Sequence, residues 1–156
     1  MRVLFSLPSG WTAAKVIAVS IYLYGGPGTI PLYVLGNNGI SVLYGPVGVS
    51  LTTVGVFNII TLPGVVVDGD FYIVVGPYPT GLLIGGITPS AGGHTYYGTL
   101  ADWGNWQPED LDYMIRAEVE QIVRPAAPVG GFMEPVNKLA VFAPYLESIR
   151  KVRLTT

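Results

Sequence analysis

Residues 16–24, Val-Ile-Ala-Val-Ser-Ile-Tyr-Leu-Tyr, decide the fold class of this chain. Large apolar residues recur there at every second position, which is the period of a strand rather than of a helix. β-branched and aromatic residues also prevail, and strands favour both types. The stretch therefore predicts a strand with one fully buried face, formed by Ile17, Val19, Ile21 and Leu23.

Glycine and proline residues separate the predicted strands. Gly25-Gly26-Pro27-Gly28 ends the first strand, and residues 30–35 predict a second one. Asn37-Asn38-Gly39 predicts a hairpin turn, because an Asn-Gly pair tolerates positive φ. Further short strand-like runs, each bounded by Gly or Pro, are 40–44, 49–54, 56–62, 65–67, 71–75, 82–87 and 95–99. Turns about every 8–12 residues indicate an antiparallel sandwich or barrel.

Residues 108–123 fit two different periods. Helical spacing is met by Leu111, Met114, Ile115, Val119 and Ile122. Strand alternation is met by apolar Tyr113, Ile115, Ala117 and Val119 between charged Asp112, Arg116, Glu118 and Glu120. Periodicity alone does not decide between a helix and a strand. We interpret the segment as a strand, because a weakly charged β protein needs a closing strand with charged, solvent-facing side chains.

Composition limits the class of protein. The 156 residues include 21 Gly and 13 Pro, and only 12% are charged, against about 25% in an ordinary soluble domain. Half of the chain is apolar, which is ample for one compact core and excludes intrinsic disorder. The net charge of −2, with no basic cluster outside the last few residues, argues against a general nucleic-acid binder.

Charge is concentrated at one end of the chain. Residues 1–100 contain only Arg2, Lys15, Asp68 and Asp70 of the 18 charged residues. Such a neutral surface is typical of a secreted module or of a packed assembly. The absence of Cys excludes disulfides, thiolate metal sites and a Cys nucleophile. No apolar run reaches the roughly 18 residues of a membrane span, so we expect no transmembrane segment.

The composition changes after Val123. Residues 1–123 predict the sandwich domain, and 124–135, rich in Pro and Gly, predict a linker. Residues 136–156 predict a short helical or extended tail whose apolar residues need cover. We therefore expect this tail to dock on a protein partner or on a second copy of the chain, or to rest at a membrane surface rather than span it.

Several short motifs carry a family resemblance. Gly69-Asp70-Phe71-Tyr72, Gly92-Gly93-His94-Thr95-Tyr96-Tyr97, Trp106 and residues 112–119 resemble the jelly-roll accessory domains near the ends of secreted bacterial and archaeal proteases and surface proteins. The likeness covers roughly residues 13–123. It implies an all-β, antiparallel, jelly-roll-like β-sandwich, with residues 112–119 as a strand. It also implies an extracellular or cell-surface location.

A second likeness lies in the tail. Residues 129–146 resemble the approach to the C-terminal membrane anchor of archaeal surface proteins. The span itself is missing, because only the eight residues 139–146 precede Glu147, Arg150 and Lys151.

Aromatic residues near the end of the sandwich are the ligand-binding candidates. Trp103 and Trp106 lie in a Gly-containing loop, and Tyr96 and Tyr97 precede it. Their rings suit stacking against the sugar rings of a glycan, as aromatic faces do in sandwich lectins. The alternative is that they pack as an end plug of the sandwich.

Candidates for other chemistry are weak. Asp68 and Asp70 offer two oxygen ligands to calcium, but that ion takes six to eight, and a strand-entry turn explains them as well. No other cofactor is expected. Ser90, His94 and Asp102 supply the residue types of a hydrolase triad, but their spacing fits no nucleophile elbow. We therefore expect no catalytic residues and no enzyme.

The sequence thus predicts a non-catalytic, extracellular or cell-surface β-sandwich module with a binding, spacing or stabilising role. The alternative is a structural subunit of an extracellular filament or coat, which the nearly uncharged residues 1–100 favour.

Overall fold

The computed structural model describes residues 1–87, 94–98, 105–123 and 151–155. These residues form strands and no helix, so none of them belongs to a helix able to cross a membrane. The strands are β1 (Arg2–Phe5), β2 (Ala14–Gly25), β3 (Gly28–Leu35), β4 (Val42–Leu51), β5 (Phe57–Val67), β6 (Phe71–Val75), β7 (Leu83–Ile84), β8 (Gly86–Ile87), β9 (Thr95–Tyr97), β10 (Gln107–Pro108), β11 (Asp112–Tyr113), β12 (Ile115–Gln121) and β13 (Lys151–Thr155). The all-β prediction is confirmed.

The strands form two main antiparallel sheets. Sheet A has the order β10-β9-β1-β6-β3-β4, and sheet B has the order β13-β12-β2-β5, with β7 also paired to β2. A short ladder joins β8 to β11. The chain alternates between the two sheets: β1, β3 and β6 belong to sheet A, and β2, β5 and β12 belong to sheet B. This alternation is the connectivity of a jelly-roll sandwich. The predicted architecture is therefore confirmed.

The core lies between the sheets. From sheet B it receives Val16, Val19, Ile21 and Leu23, all fully buried. From sheet A, the Phe5 and Phe71 rings stack with their centroids 5.5 Å apart. Burial of one such side chain contributes about 1.5–3 kcal/mol. Ile17 departs from the predicted alternation, because the pairing of β2 with β5 shifts register between Val16 and Ala18 and turns Ile17 away from the core.

Two predicted strand breaks were wrong. The sequence placed breaks between residues 44 and 49 and at Pro63-Gly64, yet β4 continues through Pro46 and β5 continues through Pro63. Both strands lie at an edge of their sheet. A proline at an edge sacrifices no ladder hydrogen bond if its missing N–H would face outward, so the strand continues.

The predicted hairpin turn is present between β3 and β4. Gly39 adopts a φ of +66°, and the Asn38 side-chain oxygen accepts hydrogen bonds from the amides of Ile40 and Ser41 at 3.0 and 2.9 Å. The Asn-Gly pair therefore acts as its residue types predict.

The ambiguous segment 108–123 is extended. Its larger part is β12, in which Ile115, Ala117 and Val119 are buried, so the strand interpretation is confirmed. The backbone of β13 pairs with β12 on the side away from β2, in a register that sets Arg153 opposite Glu118. The linker 124–135 and the tail up to residue 150 lie outside the described residues.

Candidate functional site

The outer face of sheet A carries a closed aromatic cluster around Arg2. The Arg2 guanidinium carbon lies 4.8 Å from the ring centroids of Tyr72 and Tyr96 and 5.1 Å from that of Trp106. Arg2 also donates a hydrogen bond of 3.3 Å to the carbonyl of Gly39. Burial lowers the pKa of the guanidinium, and the two tyrosines oppose that shift. We name Arg2, Tyr72, Tyr96 and Trp106 the Arg2 cluster.

The structure brings two of the ligand-binding candidates together in this cluster. Trp106 is only 7% exposed, and a side chain added at Gly98 would begin 2.8 Å from its ring. Tyr96 is half-buried and meets Tyr72 edge to face, with centroids 6.3 Å apart. Tyr97 is separate from them and 54% exposed. Trp103 lies outside the described residues.

A cleft of about 440 Å³ opens beside the cluster, lined by Met1, Val75, Gly76, Pro77, Tyr78, Gly98 and Trp106. The Met1 ammonium donates a 3.0 Å hydrogen bond to the carbonyl of Val75, and burial lowers its pKa to about 6. Burial raises the pKa of Tyr78 above its ordinary value. The walls are apolar, and the main polar group at the floor is already bonded to the backbone.

The described acidic and catalytic candidates, Asp68, Asp70 and His94, are exposed and lie outside the strands. Asp68 and Asp70 flank Gly69 between β5 and β6, and both are exposed. No group of three or more metal-ligating side chains occurs within the described ranges. His94 is exposed, and its backbone carbonyl accepts a hydrogen bond from the amide of Leu4. Ser90 and Asp102 lie outside the described residues.

The outer face of sheet B carries a second arginine on an aromatic ring. The Arg116 guanidinium carbon lies 3.9 Å from the ring centroid of Phe57, and Tyr22 meets Phe57 edge to face with centroids 5.4 Å apart. Among the described residues, no carboxylate forms an ion pair with Arg116. A guanidinium stacked by its face on a ring keeps its N–H edge turned outward, where it can bind an anion.

A groove of about 420 Å³ lies on the far side of Tyr22, and Arg116 does not line it. We name it the Tyr24 groove, and it is lined by Tyr22, Tyr24, Ile84, Gly85, Gly86 and Met114. A side chain added at Gly85 would begin 2.7 Å from the Tyr22 ring, so the glycine lets the ring lie on the backbone. Tyr24 is 68% exposed. The groove therefore has aromatic residues, Tyr22 and Tyr24, and the apolar side chains of Ile84 and Met114 in its lining.

Exposed apolar side chains surround the Tyr24 groove. Leu83 pairs in register with Gly25 on one side of Tyr24, and the backbone of Val56 bonds that of Leu23 on the other. Ile59, 67% exposed, lies opposite Ser20 on the same outer face. Tyr24 and Ile59 are the two most exposed large apolar residues in the described part of the chain. Exposed large apolar side chains on one face are typical of a binding surface.

The sequence interpretation missed Tyr22, Tyr24 and Arg116 as site residues. A signal was present: in the strand that decides the fold, both tyrosines alternate with the buried residues and so share its outer face. Their neighbour Arg116 could not be inferred, because it lies 92 residues beyond Tyr24 in the sequence and reaches Phe57 only through sheet pairing.

Comparison with known proteins identified no relative: no family model, no curated protein and no solved structure matches the chain.

Proposed function

We propose that this chain is a non-catalytic β-sandwich module of a secreted or cell-surface protein, and that it binds through the outer face of sheet B. The observation that carries the proposal is that Tyr24, the most exposed large apolar residue described, lines an open groove on this face, on which Ile59 is also exposed. The likeness of residues 13–123 to extracellular accessory domains supports the location.

The two long edge strands, β4 and β5, contain no charged residue, but each contains a proline. Proline at an edge interrupts the row of backbone groups that another strand would need. Side-chain recognition on the face is therefore favoured over extension of the sheet at these two edges.

A neutral apolar dye such as Nile red tests the proposal. The folded chain should bind the dye with enhanced fluorescence, and the double variant Tyr24→Ser and Ile59→Thr should lose most of that signal. Tyr97→Ser is the matched control, because it removes a comparably exposed tyrosine from sheet A. Equal dye binding by all three proteins would reject this face as the binding surface.

A structural subunit of a filament or coat is the second candidate. The specific observation in its favour is that β4 and β5, the two long edge strands, carry no charge to repel a neighbour. Electron microscopy of the purified chain at high concentration tests it. Regular filaments or sheets would favour this role, and dispersed particles would reject it.

A further inference from the structure

We propose that β13 is an exchangeable strand, which pairs with β12 of a second copy of this chain and so joins the two copies. The docking surface is the side of β12 that faces away from β2. The inference goes beyond the ligand-binding role proposed above, because it concerns an edge of sheet B and not its outer face. Either proposal can fail without the other.

The acceptor strand β12 is fixed by contacts other than those with β13. Its backbone pairs with β2 at seven residue positions. Its side chains Ile115, Ala117 and Val119 are fully buried in the core between the sheets. β13 adds to the opposite side of β12 as an antiparallel ladder. A β12 strand that has lost its own β13 therefore presents a row of backbone N–H and C=O groups to another strand.

The register of the ladder sets opposite charges against each other. Lys151 lies opposite Glu120, and Arg153 lies opposite Glu118. Opposite charges at directly opposed positions stabilise an antiparallel pair, and like charges destabilise it. The edge of β12 is therefore suited to a strand with basic residues at two alternate positions.

The same charges select the register and the partner. A slip of two residues in one direction would set Arg153 opposite Arg116, and a slip in the other direction would set Lys151 opposite Ile122. The pattern Lys-x-Arg occurs once in the sequence, at residues 151–153. The strand that fits this edge is therefore β13 of the same chain or of a second copy.

The length of chain between the two strands favours exchange between copies. Neighbouring antiparallel strands are commonly joined by about 2–5 residues, whereas residues 122–150 lie between β12 and β13. A segment of that length spans up to about 95 Å when extended, at ~3.3 Å per residue. A domain of about 125 residues is only some 35 Å across. β13 can therefore reach the β12 edge of a second copy.

A long connection also reduces the advantage of pairing within one chain. The effective concentration of a tethered partner falls as roughly the −3/2 power of the tether length, from the mM range for short tethers. A second copy competes once the protein concentration approaches that value. Reciprocal exchange closes a dimer, and one-way exchange produces an open chain of copies.

Two charge-reversed variants of the full chain test the inference by analytical ultracentrifugation. Glu118→Lys and Arg153→Glu each set like charges against each other within one molecule, so each variant alone should remain monomeric up to about 1 mM. In a mixture of the two, opposite charges meet only between different molecules. We expect the mixture to form complexes at concentrations at least tenfold lower than those at which the unchanged chain associates.

The unchanged chain should form dimers or longer assemblies between about 0.1 and 1 mM. Asp70→Lys makes the same charge change at an exposed position outside the strands, and it should associate as the unchanged chain does. The pair Glu120→Lys and Lys151→Glu repeats the test at the neighbouring position if circular dichroism shows that a first variant is unfolded.

Three results would overturn the inference. The first is an unchanged chain that stays monomeric up to about 1 mM, and the second is a mixture of complementary variants that does not associate. The third is undiminished association of Glu118→Lys or Arg153→Glu alone, because a surface other than the β12 edge would then join the copies.

Discussion

Each outer face of this sandwich places an arginine against aromatic rings, but the two arginines differ in how many rings surround them. On sheet A, Arg2 is enclosed by three rings and bonded to the carbonyl of Gly39. On sheet B, Arg116 rests on the single ring of Phe57. The first arrangement closes a surface, and the second leaves one side of the guanidinium for another molecule.

The difference shows why residue type alone does not identify a binding site. Cation–aromatic contact stabilises by about 0.5–1 kcal/mol at an exposed position and by about 2 kcal/mol or more when water is excluded. Three ring contacts therefore give Arg2 a larger structural role. Arg116 has one ring contact, and within the described part of the chain no carboxylate pairs with it.

Truncation of a ring in the Arg2 cluster should have the largest effect on stability. Trp106→Ala removes a nearly buried indole and should lower the free energy of unfolding by about 3–5 kcal/mol. Denaturant unfolding measures this loss. The matched change Tyr97→Ala, at a ring that is 54% exposed, should change stability by less than about 1 kcal/mol. Similar losses in both variants would contradict the closed character of the cluster.

The two arginines should differ when each is neutralised. Arg2→Gln should reduce stability by about 2 kcal/mol, because it loses three ring contacts and leaves the enclosed position poorly filled. Arg116→Gln should cost about 0.5–1 kcal/mol, because it loses one contact at a half-exposed position. Thermal unfolding of the pair compares them directly. A larger loss of stability in Arg116→Gln than in Arg2→Gln would contradict the larger structural role given to Arg2.

Two glycines provide a finer comparison of the faces. Gly98→Ala places a methyl group 2.8 Å from the buried Trp106 ring and should cost about 1–3 kcal/mol. Gly85→Ala approaches Tyr22 to 2.7 Å, but that ring borders an open groove and can turn outward. We expect a smaller stability loss there, together with weaker Nile red binding. Unchanged dye binding in Gly85→Ala would place the dye elsewhere.

The smallest expected effect on stability comes from the ionisation of Tyr113. Burial and the nearby Glu109, which accepts a hydrogen bond of 3.4 Å from Tyr113, raise the pKa of Tyr113 from 10.0 to about 12. The folded chain therefore keeps this proton longer than the unfolded chain does. Its contribution to stability is complete below pH 10 and is lost between pH 10 and pH 12.

Unfolding experiments at alkaline pH measure this loss of stability, and phenolate absorbance measures the ionisation of the tyrosines. Tyr113→Phe should show a shallower fall in stability over that range and one fewer late-ionising phenol. An identical pH dependence in wild type and Tyr113→Phe would show that the raised pKa has no influence on folding.

Strand alternation allowed the fold to be predicted, because its period is a local property of the sequence. Residues 16–24 and the Asn37-Asn38-Gly39 turn were sufficient for antiparallel pairing. The bulge at Ile17 and the strands that continue through Pro46 and Pro63 were not predictable in this way. Each depends on which strand lies beside it, and therefore on sheet order.

The candidate site was less predictable for the same reason. Aromatic content pointed to Trp106 and Tyr96, which the fold places around Arg2, 104 and 94 residues away in the sequence. Tyr24 was recognised as a strand residue, but its exposure depends on the assembled sandwich, in which no element of the described ranges covers its side chain. Exposure is a property of the assembled sandwich, so composition could not supply it.

Nuclear magnetic resonance tests the central claim, that ligands bind at the Tyr24 groove on sheet B and not at the Arg2 cluster on sheet A. The ring signals of Tyr22 and Tyr24, the Nε–H signal of Arg2 and the indole signal of Trp106 are followed during titration with Nile red. We predict that Tyr22 and Tyr24 shift with one binding curve while Arg2 and the Trp106 indole stay unchanged. Shifts confined to Arg2 and Trp106, with Tyr22 and Tyr24 unaffected, would contradict the account.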